Sequence, residues 1–193
     1  MKVGVLISGT GTNLQALIDD PEIDVTCVVS SRADAPGLDR ARSAGIPVLA
    51  TADEDETAQF LEGAGVELVV LAGYMRILSR EFVGRYNGRI MNVHPALLPA
   101  FPGAHAVRDA LDHGVRVTGV TVHLVDVGHV AADTGPIVLQ EALDVSYDDG
   151  ADEVAERLRE IEHRLLPQAV RLFCSGRLEV DGRRVLVREK RRA

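Results

Sequence analysis

Short runs of branched apolar residues alternate with stretches whose apolar positions recur every three or four residues, and this alternation organises most of the chain. Residues 3–8 read as a buried strand followed by a helix over about 13–19. Residues 25–30 read as a second strand, with a helix around 37–44. Residues 68–72 and 90–93 are further apolar runs rich in branched side chains. Such alternation predicts an α/β fold with a mostly parallel sheet and helices on both faces, because parallel strands need crossovers and the crossovers cover the sheet. Beyond residue 110 the pattern changes. Residues 115–125 and 136–142 predict longer strands, and a helix over 152–173 starts with acidic residues suited to its N-terminal dipole. A hairpin, 178–180 with 185–187, turns at Asp181-Gly182. With no linker, repeat or low-complexity stretch, residues 1–193 read as a single domain whose last third closes over the carboxyl edge of the sheet.

At that edge lies Asn92-Val93-His94-Pro95. Side chains alternate along a strand, so Asn92 and His94 share a side, and Pro95, lacking an N–H, stops the ladder. An amide donor then sits beside the side chain that titrates nearest neutrality, a pairing suited to an oxyanion that also needs a proton. Taken alone, the histidine also reads as a satisfied strand cap. A carboxylate comes from Asp133-Thr134-Gly135-Pro136, a turn just before a strand. If Asp133 reaches His94, its charge favours the imidazolium; an aspartate there is also an ordinary turn former.

Ser8-Gly9-Thr10-Gly11-Thr12-Asn13 joins the first strand to the first helix. Its glycines allow a tight turn and close backbone approach, and Thr12 or Asn13 can cap a helix whose free N–H groups face an anion. Leu14 stands where a dinucleotide fingerprint needs its third glycine, and no Gly-Lys-Ser/Thr follows, so the loop suits a single phosphate or a plain turn without ligand. Arg76, after the third strand, can hold an anionic ligand or stand as a surface arginine. His105, His113, His129 and His163 show no partner pattern and read as structural or exposed.

Composition narrows the classes. The net charge of −8 argues against general nucleic-acid binding, and the basic cluster at residues 183–192 reads as a solvated tail. Hydrophobic content is 46%, without a run of the ~18 residues a membrane span needs. The start, Met1-Lys2-Val3, reads as a core strand of a cytoplasmic protein and not as a secretory signal. Cys27 and Cys174 read as free thiols, and no metal-ligand spacing occurs.

Together these segments resemble the phosphoribosylglycinamide formyltransferases, folate-dependent enzymes of purine synthesis. The resemblance runs through Ser8 to Gln15, Ser31-Arg32-Ala33-Asp34, Leu71-Ala72-Gly73-Tyr74-Met75-Arg76-Ile77-Leu78, Asn92 to Pro99, Val120-Thr121-Val122-His123, Asp133 to Pro136, and Glu162-His163. It implies a Rossmann-like domain, with a phosphate-binding half to about residue 95 and a folate and catalytic part over about 96–193. It implies that Gly11, Thr12 and Asn13 bind the substrate phosphate and Glu162 the ribose hydroxyls. Met75, Arg76, Ile77 and Leu78, joined by Asn92, would bind 10-formyltetrahydrofolate. Asn92, His94 and Asp133 would do the chemistry, with His123 close behind and no metal. The partners implied are the two small molecules, with neither nucleic acid nor membrane, for a monomer or homodimer. Two departures stand out: His129 to Ala132 lengthen the loop before Asp133, and residues 50–65 are shorter than usual and lack an arginine that contacts folate in relatives. The rivals are formyltetrahydrofolate deformylase, methionyl-tRNA formyltransferase, which is longer and basic, and a nucleotide-binding module without catalysis.

Overall fold

A computed structural model of the chain describes residues 1–125 and 133–188. Strands β1 (Lys2–Ile7), β2 (Asp24–Ser30), β3 (Val48–Ala50), β4 (Leu68–Leu71) and β5 (Ile90–His94) pair in parallel in the order β3-β2-β1-β4-β5. β6 (Val117–Leu124) and β7 (Ile137–Asp144) extend this seven-stranded sheet antiparallel. The expected mostly parallel sheet is therefore present. The last third adds the two antiparallel strands and a long helix on one face, and it brings Asp133, Thr134, Gly135 and Glu162 to the cleft at the carboxyl edge. The change of pattern beyond residue 110 reflects the β6–β7 pair, since consecutive strands without an intervening helix cannot make a parallel crossover; β6 also runs antiparallel to β5, although residues 95–116 lie between them.

Alternation along β1 shows how the layers form. Val3, Val5 and Ile7 point to one face, packing against Leu14 and Leu17 of α1 (Thr12–Ile18) and the buried stripe of α6 (Ala151–Cys174); Leu6 points to the other. α2 (Gly37–Ser43) joins the first face through Ala41. The second face is covered by α3 (Glu54–Gly63) and α4 (Arg80–Arg85) through Ala58, Leu61, Phe82 and Val83. In α6 the buried positions Val154, Leu158, Ile161, Leu165, Ala169 and Leu172 fall every three or four residues, and each fully buried aliphatic side chain stabilises the layer by ~1.5–3 kcal/mol. α5 (Ala106–Asp112) packs beside α6.

β3, α3, α4 and α5 were not expected from the pattern. β3 is three residues long and half-exposed, and α4 and α5 are short. α3 is signalled by capping instead: Asp53 accepts from the N–H groups of Asp55 and Glu56, and Ser79 likewise caps α4. The hairpin β8 (Leu178–Asp181) and β9 (Arg184–Val187) forms as expected, but Asp181 pairs with Arg184, so its turn is Gly182-Arg183. Among the described residues no helix is long and apolar enough to cross a membrane.

Candidate active site

Between β1 and β4 the strand order reverses, so the loop after β1 runs to one face and the loop after β4 to the other. Such a reversal opens a crevice at the carboxyl edge of an α/β sheet. The two loops are tied at its floor. The Ser8 N–H donates to the Gly73 carbonyl at 3.1 Å, and the Ser8 hydroxyl accepts from the Met75 N–H at 2.9 Å. The cleft that opens here has a volume of about 480 Å³.

Three elements converge on it. β5 ends at His94, as Pro95 predicts, and both Asn92 and His94 line the cleft. Asp133 comes from the turn before β7. Its Oδ1 accepts from Asn92 Nδ2 at 3.2 Å and its Oδ2 from the Gly103 N–H at 2.8 Å. His94 Nδ1 lies 3.4 Å from Oδ2, and His123 Nε2, from β6, lies 3.4 Å from Oδ1. One carboxylate thus meets both histidines. His94 Nε2 is 2.8 Å from the Phe101 carbonyl, so the nitrogen donates there. One His94 nitrogen thus faces a carbonyl and the other a carboxylate, both of them acceptors. His123 Nδ1 similarly faces the Leu124 carbonyl at 3.1 Å, while Asn92 Nδ2 lies 3.1 Å from its Nε2.

Burial pushes the Asp133 carboxyl up. The bond with His123, the Gly103 N–H and the charges of the two histidines outweigh it and hold the carboxyl at about 2. The backbone is bent to make these contacts: Asp133 has φ 59° and Phe101 φ 52°, a region that favours glycine and is an outlier for an aromatic residue. Gly135 permits the same turn. A Cβ there would lie 1.7 Å from the Leu124 carbonyl oxygen, so any side chain would push the turn that carries Asp133 away from β6.

At the other end of the cleft, Asn13 Nδ2 donates to Glu162 Oε2 at 2.7 Å. Burial raises the Glu162 carboxyl, against the Asn13 bond and the charge of Arg159. Neither Thr12 nor Asn13 caps α1. The N-cap is Gly11 at φ 72°, which has no side chain to bond with, and Asn13 lies inside the helix with its Nδ2 turned to Glu162. Gly11 and Thr12 do not line the cleft, whereas Asn13 does. The close approach that Gly11 permits is to α2, where an added Cβ would lie 2.7 Å from the Gly37 Cα.

Met75, Arg76, Ile77 and Leu78 form the opposite wall. Met75 and Ile77 are 71% and 82% exposed, an unusual display of apolar surface at a cleft. Arg80 lines the same wall. Sequence reading missed Phe101 and Gly103, which act through backbone groups. The signal available was the turn chemistry of Phe101-Pro102-Gly103. It also missed Ser8, which reads as part of the loop and in fact pins its neighbour. His105 and His113 are exposed, and His163 is half-buried with Nε2 unpartnered among the described residues. Cys27 and Cys174 are free thiols. No cluster of metal-ligating side chains occurs among the described residues. His129, the lengthened loop over 129–132 and the tail beyond 188 lie outside the described residues.

Residues 1–170 match the formyl transferase family. The chain belongs to that family. Among formyl transferases it is 40% identical over 194 residues to the Escherichia coli phosphoribosylglycinamide formyltransferase, covering 93% of this chain and 90% of that one. It is 44% identical to the Gallus gallus trifunctional purine biosynthetic protein adenosine-3, across 93% of this chain but 19% of that protein, so it spans about a fifth of the length of such trifunctional relatives. The crystal structure of glycinamide ribonucleotide transformylase 1 from Symbiobacterium toebii superposes with a TM-score of 0.93 at 45% identity, over 98% of this chain and 94% of that one. A Pseudomonas syringae formyltetrahydrofolate deformylase shares the fold at 25% identity and a TM-score of 0.89, with this chain covering 66% of it.

Proposed function

We propose that this formyl transferase moves the formyl group of 10-formyltetrahydrofolate to the amine of phosphoribosylglycinamide, giving the N-formyl product and tetrahydrofolate. The observation that carries the reading is the meeting of Asn92, His94 and Asp133 in one cleft whose far end holds Asn13 and Glu162. In this assignment Glu162 accepts from the ribose hydroxyls. Asn13 Oδ1, buried and without a partner among the described residues, accepts a further hydroxyl. An acceptor suits a hydroxyl and not a phosphate. The phosphate therefore falls to the backbone N–H groups of Gly11, Thr12 and Asn13, which precede the first intrahelical bond, from the Gln15 N–H to the Gly11 carbonyl. The folate lies along Met75 to Leu78, whose exposed apolar side chains offer a flat ring a surface.

The amine attacks the formyl carbon, and a C–N bond forms as charge grows on the carbonyl oxygen. A donor aimed at that oxygen commonly contributes ~3–4 kcal/mol. Asn92 supplies one, exchanging its bond to Asp133 or His123 for the oxyanion, and the His94 imidazolium held by Asp133 supplies another. The bond to the folate nitrogen then breaks, and the proton lost by the amine reaches that nitrogen through His94 or water. His123 stays behind, fixing the carboxylate.

Two free thiols accord with a reducing, cytoplasmic setting. The phosphate-binding half and the folate and catalytic part meet in this cleft, though the folate wall at residues 75–78 belongs to the first half. A hydrolase needs no seat for a ribonucleotide, so the pair at Asn13 and Glu162 favours transfer over deformylation. Tetrahydrofolate release measured with and without phosphoribosylglycinamide tests this. Release only when the amine is present supports transfer; equal release without it would make the chain a deformylase.

A further inference from the structure

A polar cluster centred on the buried Thr121 lies outside the lining of the cleft. Thr121 on β6 stands opposite His94 in the antiparallel register and is fully buried. Its hydroxyl donates to the Ala96 carbonyl at 2.6 Å and accepts from the Leu98 N–H at 3.0 Å. The Gln140 side-chain amide, on β7, donates to that hydroxyl at 2.9 Å and to the Leu98 carbonyl at 2.9 Å. The single hydroxyl uses its proton and both acceptor positions, and Leu98 has both backbone groups held.

These bonds fix the start of the segment that leaves β5 after His94. The same segment then returns the Phe101 carbonyl to His94 Nε2 and the Gly103 N–H to Asp133 Oδ2. Its course runs against backbone preference, since Phe101 sits at φ 52°. Only surrounding contacts hold such a residue in place. At the far end the half-buried Phe101 ring meets the edge of the exposed His113 at 5.7 Å. The buried restraint is therefore at the start of the segment. We propose that Thr121, with Gln140, is a positioning residue: it clamps residues 96–98 so that the segment presents His94 and Asp133 in register. The inference rests on the formyl-transfer reading of the cleft.

The test is steady-state formyl transfer by Thr121→Val, Thr121→Ser and Gln140→Leu, with both substrates varied and rates expressed per folded molecule. Misplacement of reacting groups acts on turnover, so Thr121→Val lowers kcat by about 10- to 100-fold while each KM stays within about threefold. Thr121→Ser retains the hydroxyl and restores most of the rate. Gln140→Leu, at an exposed position, lowers kcat less but in the same manner. Wild-type kcat in folded Thr121→Val or in Gln140→Leu, or a loss carried by KM alone, overturns the inference. If Thr121→Val does not fold, Gln140→Leu decides. No transfer by the wild-type chain would instead overturn the formyl-transfer reading, and the inference with it.

Discussion

Asp133→Asn removes one charge, keeps the shape and disturbs four contacts at once. The carboxylate accepts from Gly103 and Asn92 and faces two imidazoles at 3.4 Å. An amide can keep the Gly103 bond with its oxygen, but its NH2 then faces the Asn92 donor, and no charge remains to favour an imidazolium at His94. Holding the carboxyl at about 2 instead of its ordinary 3.8 amounts to roughly 2 kcal/mol in favour of the folded, ionised form. Because the folded value is depressed, this stability is fully present above the unfolded value near ~3.9 and is lost as pH falls through about 2. Denaturant unfolding at pH 7 should therefore show Asp133→Asn less stable by about 2 kcal/mol, a gap that shrinks by roughly half near pH 3. Turnover should fall by about 100-fold or more, as for loss of an acid–base partner. A stability gap that does not change between pH 7 and pH 3 would show that the carboxylate is not held by these partners.

Asn92→Asp should be worse than Asn92→Ala, because it sets a second carboxylate where the amide nitrogen now lies 3.2 Å from Asp133. A loss of at least about 100-fold in kcat is expected, and a near-native rate in either variant would remove Asn92 from the chemistry. Gly11→Val places its side chain against Gly37 and not directly in the cleft. It should lower the thermal midpoint together with ribonucleotide affinity, with a stability loss of about 1–3 kcal/mol; an unchanged midpoint would contradict the packing. Glu162→Gln keeps an acceptor for Asn13 but removes the charge offered to a diol. The KM for the ribonucleotide should rise about tenfold while that for the folate stays put, and equal changes in both would separate Glu162 from the ribose.

The parallel strands and the long amphipathic helix were legible because burial on both faces leaves continuous apolar runs and one-sided burial leaves a 3.6-residue period. β3, α4 and α5 were not, because each is too short for a period to register. α3 is readable only from its caps. Of the site, Asn92 and His94 were legible as a strand-end pair, since alternation fixes their side. Asp133 was recognisable only as a turn carboxylate: nothing local in the sequence brings residue 133 to residue 94, and it is the antiparallel pairing of β5, β6 and β7 that does so. The α1 cap was misjudged for a related reason. Local capping preference assigns Thr12 or Asn13 to the helix start, whereas the helix begins one residue earlier, at Gly11 in the left-handed region, and the Asn13 amide nitrogen meets Glu162, far along the chain. Phe101 and Gly103 contribute carbonyl and N–H groups, which every residue but proline carries in full, so their side chains give no sign of the role.

The central claim is that these groups deliver the formyl carbon to an amine. Tracing labelled formyl carbon from 10-formyltetrahydrofolate, in the presence of phosphoribosylglycinamide, tests it most directly in the wild-type chain and in His94→Ala. Label is expected in the ribonucleotide amide for the wild type, and almost none for the variant. Label recovered as free formate from the wild type, or an equal yield of labelled amide from both proteins, would contradict the claim.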